Sequence, residues 1–153
     1  LSNVHAHQFG LSNEQRVTSY VMPDYSAETN IGAFSIDFDT RAKDYEVKTQ
    51  GYTERLRVIP LDLMQYEKVR LIKIDVEGME LSVLKGAIET IKNNNYPHII
   101  FEAWQGKEWF LPRREALYKF LEELGYEITC TGEDNYAIHK SHKGSEEGSK
   151  EGS

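Results

Sequence analysis

The stretch Leu71-Ile72-Lys73-Ile74-Asp75-Val76-Glu77-Gly78-Met79-Glu80-Leu81-Ser82-Val83-Leu84-Lys85-Gly86-Ala87 changes period in its middle. Val69 to Asp75 is a β-branched-rich run of strand length ending near Gly78, the pattern of a mostly buried strand. Beyond it Leu81, Val83, Leu84, Ala87, Ile88 and Ile91 recur at helical spacing, which predicts a helix from about Glu80 to Asn93. In a parallel α/β sheet, ligands bind at the carboxyl ends of strands, and Asp75 occupies such an end. Asp75 and Glu77 lie two apart and point the same way if the strand geometry continues. Two converging carboxylates can hold a cation, accept a proton, or orient a hydroxyl or amine. Glu80, at the start of the helix, has a plain electrostatic capping role. Taken alone, the spacing favours capping over catalysis.

Working outward, the same alternation continues toward the C-terminus. His98-Ile99-Ile100-Phe101-Glu102 reads as a second buried strand that again ends in a carboxylate. Pro112 opens a helix through Leu117, Phe120, Leu121 and Leu124, and Gly125 ends it. Tyr126 to Thr131 and Asn135 to His139 read as a closing pair of strands around Gly132-Glu133-Asp134. This order predicts an α/β fold, a mostly parallel sheet flanked by helices with a C-terminal antiparallel hairpin. Upstream, residues 1–66 are less regular. Val4 to Leu11, Val17 to Met22, Ala33 to Phe38 and Tyr45 to Gln50 each suit a strand, and Val58 to Leu63 suits a strand leading into a short helical turn. Extended segments and loops lying over the sheet are expected there, a hairpin insertion among them. From Ser141 onward no apolar residue remains, so 141–153 reads as a flexible Gly/Ser/Glu/Lys tail beside a domain spanning 1–140.

Composition narrows the partners. The 153 residues suffice for one compact domain, and the formal net charge of −7 argues against a nucleic-acid or acidic-membrane binder. No apolar run approaches the ~20 residues needed to cross a bilayer, and Leu1-Ser2-Asn3-Val4 has no features of a secretory signal. The single cysteine, Cys130, cannot form an intramolecular disulfide, and no Cys/His cluster has zinc-site spacing. A reducing, cytoplasmic setting is the expectation that follows. Cys130 falls in a strand and is expected to be buried.

The longer stretch resembles the signature of FkbM-type methyltransferases, essentially K-I-D-V-E-G-x-E-x-x-V-L-x-G-A, and Lys73 to Ala87 matches every fixed position. The flanks agree in order. Val58-Ile59-Pro60-Leu61-Asp62-Leu63 is similar to the family's preceding V-x-x-L-D-x-L element, and Pro97 to Glu102 to its following strand. Asn30-Ile31-Gly32-Ala33-Phe34-Ser35 resembles an upstream Asn-x-Gly-x-x-Ser loop, and Asn3 to Asn13 the strand and turn before that. The resemblance spans roughly residues 3–140 and is densest at 58–102.

It implies a class I, Rossmann-like fold that binds S-adenosylmethionine and methylates a hydroxyl on a sugar or similar small metabolite. On this basis Asp75 is the expected orienter or base, Glu77 its helper, and Glu102 a neighbour facing the same cleft. Ser12, in the turn near the adenine, and Asp75 are the expected cofactor contacts; Asn30 and Trp104 are the expected substrate contacts. Trp104 and Trp109 suit either stacking on a sugar or packing over the sheet. Lys73 is expected to pair with a carboxylate. The family's glycine-rich cofactor turn and second strand have no counterpart here, so the chain reads as the back portion of such a domain. A partner chain or oligomer is then expected to cover an exposed sheet edge. Two alternatives stand beside this reading: a non-catalytic α/β module that needs a partner chain, and a carboxylate metal-binding domain resting on Asp75, Glu77 and Glu80.

Overall fold

The computed structural model describes residues 2–26, 34–43 and 48–145. Among them the chain forms a mixed α/β structure with two sheets. The first sheet has β1 (Gly10–Leu11), β2 (Arg16–Pro23) and β3 (Thr49–Ile59) in the order β1-β3-β2. β2 and β3 are antiparallel, with Arg16 opposite Val58 and Val21 opposite Thr53. β1 lies parallel to the last two residues of β3. Of the strand expected over Val4 to Leu11, only these two residues pair. The front of the chain therefore doubles back on itself as a hairpin, most of whose β3 arm is exposed.

The Ala33 to Phe38 expectation is corrected. Phe34 to Asp37 form no strand, and Phe38–Arg41 is a one-turn helix, α1. Its cause is Asp37, whose carboxylate accepts from the Thr40 backbone N–H (3.1 Å) and hydroxyl (2.8 Å) as an N-cap. The strand expected at Tyr45 to Gln50 begins only at Thr49 within the described residues.

The second sheet holds β4 (Leu71–Ile74), β5 (His98–Glu102), β6 (Tyr126–Thr131) and β7 (Asp134–His139) in the order β4-β5-β7-β6. β4 and β5 run parallel, with Ile74 opposite Phe101, and β7 and β6 add as an antiparallel hairpin. Over both sheets, antiparallel pairs outnumber parallel ones among the described residues, and the mostly parallel expectation holds in the second sheet only for the β4–β5 pair at one side. One face of this sheet carries the core: Ile99, Phe101 and Ala137 pack with Leu84, Ile91, Leu117 and Leu121, each at most 1% exposed. Leu117 and Leu121 come from α4 (Leu111–Glu123), which has Pro112 in its first turn and Gly125, at φ +93°, just past its end.

The single helix expected over Glu80 to Asn93 is two, α2 (Glu80–Lys85) and α3 (Ile88–Asn93). The break has a steric reason at Gly86. A Cβ there would stand 2.0 Å from the Ser12 carbonyl oxygen, so this junction is where the back of the chain docks on the front. The Gly86 carbonyl leaves the helix ladder to accept from Asp62 N–H (3.0 Å). Asp62 then restarts the helix, its carboxylate accepting from Thr90 N–H (2.7 Å) and Glu89 N–H (3.2 Å). Past β7, Lys140–Ser145 continues as a 3-10 turn, so the part of the expected tail from Ser141 to Ser145 has regular structure. No described helix is long and apolar enough to cross a membrane.

Candidate functional site

β4 ends at Ile74, and the chain turns through two consecutive left-handed residues, Glu77 (φ +51°) and Gly78 (φ +94°). A left-handed glutamate is uncommon, and here the fold holds it in place. Glu80, 2% exposed, folds back so that its carboxylate accepts from Gly78 N–H at 3.0 Å. Burial drives the Glu80 pKa upward, while hydrogen bonds from backbone N–H groups act against that rise. Glu80 therefore closes the turn from inside and leaves the carboxylate grouping in which the sequence placed it.

The grouping that forms instead is Asp75, Glu77 and Glu102. One carboxylate oxygen from each lies within 4.8 Å of the others. The register explains it: Ile74 pairs with Phe101, so the next residues, Asp75 and Glu102, emerge side by side from the carboxyl ends of two parallel strands. The left-handed turn swings Glu77 back to meet them. Burial, then the charges of Glu102, Asp75 and Glu80, raise the Glu77 pKa from its ordinary 4.5 to about 7, with Lys107 pulling the other way. Glu102 is also raised, first by burial and then by the charge of Asp75 and a hydrogen bond with it. Lys73 reaches Asp75 at 3.3 Å, and both side chains are largely in water. Three close carboxylates, of which Glu77 and Glu102 bind their protons more tightly than usual, can share protons, take one from a bound hydroxyl, or orient it.

The wall beside them is aromatic. Trp104 and Phe110 line the same narrow cleft as Glu77 and Glu102. Trp104 is only 7% exposed, packs 4.9 Å from Phe110 and 5.7 Å from Trp109 between ring centroids, and carries the Lys107 ammonium 4.1 Å from its ring centre. Of the two roles open to it, packing describes Trp104 in this structure. Trp109, partly exposed, has Lys43 5.4 Å from its centre. Arg114 ties this loop down through the carbonyls of Trp104 (3.2 Å) and Gln105 (3.3 Å). Arg113 reaches back to Asp37 and to the Thr40 hydroxyl, each at 2.8 Å. The two arginines are thus ties between segments and not a free basic patch.

On the other side of Gly78 lies a cavity of about 350 Å³, with Asn13, Met79, Ser82, Lys85 and Phe110 among its lining residues. Ser12, expected to contact a cofactor, is 1% exposed, and its hydroxyl is engaged by Ser82 (3.1 Å) and the Asn13 side-chain oxygen (3.2 Å). Its neighbour Asn13 is the residue that faces the cavity, and nothing in the residue types distinguished the two. Asn30 lies outside the described residues. Cys130, expected to be buried, is exposed near the end of edge strand β6. Asp62, a fixed position of the family-like element, proves to be the cap of α3.

A family model described as the Methyltransferase FkbM domain matches residues 2–128. No curated protein and no solved structure matches the chain.

Proposed function

The chain belongs to the FkbM methyltransferase domain family, and we propose that it acts in transfer of a methyl group from S-adenosylmethionine to a hydroxyl of a sugar or other small metabolite. The observation that carries this reading is the Asp75–Glu77–Glu102 grouping at the carboxyl ends of β4 and β5. The second sheet, with its parallel β4–β5 pair followed by an antiparallel hairpin, is compatible with part of a class I methyltransferase sheet.

The donor fits the residues by charge, since a cationic sulfonium is favoured beside clustered carboxylates. We assign Asp75, and Asn13 at the cavity, to hold it, while the buried Ser12 hydroxyl, bonded with Asn13 and Ser82, joins the end of β1 to α2. When bound, S-adenosylmethionine supplies an electrophilic methyl group. The part of the chain is to align the acceptor and take its proton. Alignment supplies much of the rate in such a displacement. Asp75 accepts a hydrogen bond from the acceptor and orients it. Glu77, with a pKa of about 7, would receive the hydroxyl proton as the acceptor oxygen takes the methyl group, the bond from that carbon to the sulfonium sulfur breaking to leave a neutral thioether. Glu102 keeps Glu77 basic by charge repulsion.

The test is transfer of labelled methyl from S-adenosylmethionine to a panel of sugars and hydroxylated metabolites. With an acceptor in hand, Glu77→Gln and Asp75→Asn are each expected to lower kcat about 10²-fold or more. Unchanged turnover in both variants would overturn the roles given to these carboxylates.

A further inference from the structure

Three carboxylates crowded within 4.8 Å repel one another, and a site built on them needs a positive charge that stays in place. Lys73 is a poor candidate: its side chain is 67% exposed, on a surface pair screened by water. Lys107 is placed differently. Its ammonium stands 4.1 Å from the Trp104 ring centre and 6.0 Å from that of Trp109. Trp104 is itself clamped among Phe110 and Trp109 and lines the cleft that contains Glu77 and Glu102. An aromatic face attracts a cation without neutralising it. A lysine seated this way holds its ammonium at a position set by the packed rings.

We propose that Lys107 is a positioning residue of this site: seated on the Trp104 ring, its ammonium is the fixed counter-charge that keeps Glu77 and Glu102 together as carboxylates beside an incoming acceptor. This rests on the methyl-transfer reading above for its purpose, though not for its geometry. Among the described residues, the charges that act most on Glu77 are Glu102, Asp75 and Glu80 on the repelling side and Lys107 on the attracting side. Removing Lys107 leaves repulsion unopposed, so Glu77 must hold its proton to higher pH.

Carboxyl-carbon NMR of the full chain, titrated from pH 4 to 9 with no ligand present, reads this directly. The wild-type Glu77 midpoint is expected at about 7, as the geometry gives. Lys107→Met should raise it by about half a pH unit or more, and Lys107→Arg should restore it, because arginine keeps the charge on the ring. Lys107→Gln repeats the test if the methionine variant does not fold. A Glu77 midpoint unmoved by loss of the Lys107 charge would overturn the assignment. With an acceptor in hand, the alkaline shift should also appear in the pH profile of kcat for Lys107→Met and vanish for Lys107→Arg. The titration needs no acceptor, so its failure overturns the Lys107 assignment alone. Absence of methyl transfer by the wild type overturns the reaction.

Discussion

Replacing Glu77 with glutamine should make the protein more stable at neutral pH, at the site where it should lose activity. In the unfolded chain this carboxyl ionises at its ordinary 4.5, whereas in the fold it does so at about 7. The folded state thus binds the proton more tightly than the unfolded state. Its contribution to stability is fully present below pH 4.5 and is lost as pH rises through 7. At about 1.4 kcal/mol per tenfold change in proton affinity, the full difference is about 3.4 kcal/mol. Glu77 is only half-buried, and screening by solvent reduces this to about 1 kcal/mol. Glutamine keeps the shape of the side chain and removes the charge that repels Glu102 and Asp75. Thermal unfolding of both proteins at pH 4 and pH 8 checks the difference. The gap between them should be small at pH 4, and by pH 8 Glu77→Gln should have gained about 3 °C in Tm. A gap that is the same at both values, or one that favours wild type more at pH 8, would refute the reasoning. Either result would mean that burial and the neighbouring carboxylates do not raise the proton affinity of Glu77 in the fold.

Two further outcomes test how the turn is held. Gly86→Ala puts a methyl group 2.0 Å from the Ser12 carbonyl oxygen, a backbone atom with little room to yield. It should cost about 3 kcal/mol in urea unfolding, while Gly106→Ala, with open space around it, should be neutral within about 0.5 kcal/mol. Asp62→Ala removes the carboxylate that accepts from the first backbone N–H groups of α3 and should cost about 1–2 kcal/mol by the same measurement.

The sequence declared some of this plainly and hid the rest for physical reasons. β4, β5, α4 and the closing hairpin were legible because each is long enough to show its period and buries one side. Asp75 and Glu102 could be placed on neighbouring strand ends, since that follows from the parallel order alone. Glu80 could not be separated from Asp75 and Glu77. Its inward turn depends on two left-handed residues, and no periodicity reports a backbone angle. The break at Gly86 was invisible because helical spacing continues across it, and the backbone of Ser12 and Pro60, distant in sequence, leaves no room for a side chain there. α1 is a single turn, too short for a pattern, and it exists through Asp37 and a tie from Arg113. The indole of Trp104 was marked for the site, but no spacing or periodicity tied Lys107 to that ring.

The aromatic wall has a practical consequence of an optical kind. The chain contains two tryptophans, Trp104 and Trp109, and both stand in this wall. Indole emission therefore arises from the neighbourhood of the carboxylates and from nowhere else in the molecule. Anything that displaces Lys107 or alters the charge of Glu77 changes the surroundings of the indoles, which are excited selectively over tyrosine at long wavelength. The protein carries its own unlabelled reporter, and candidate acceptors can be screened by intensity and wavelength before any turnover assay exists.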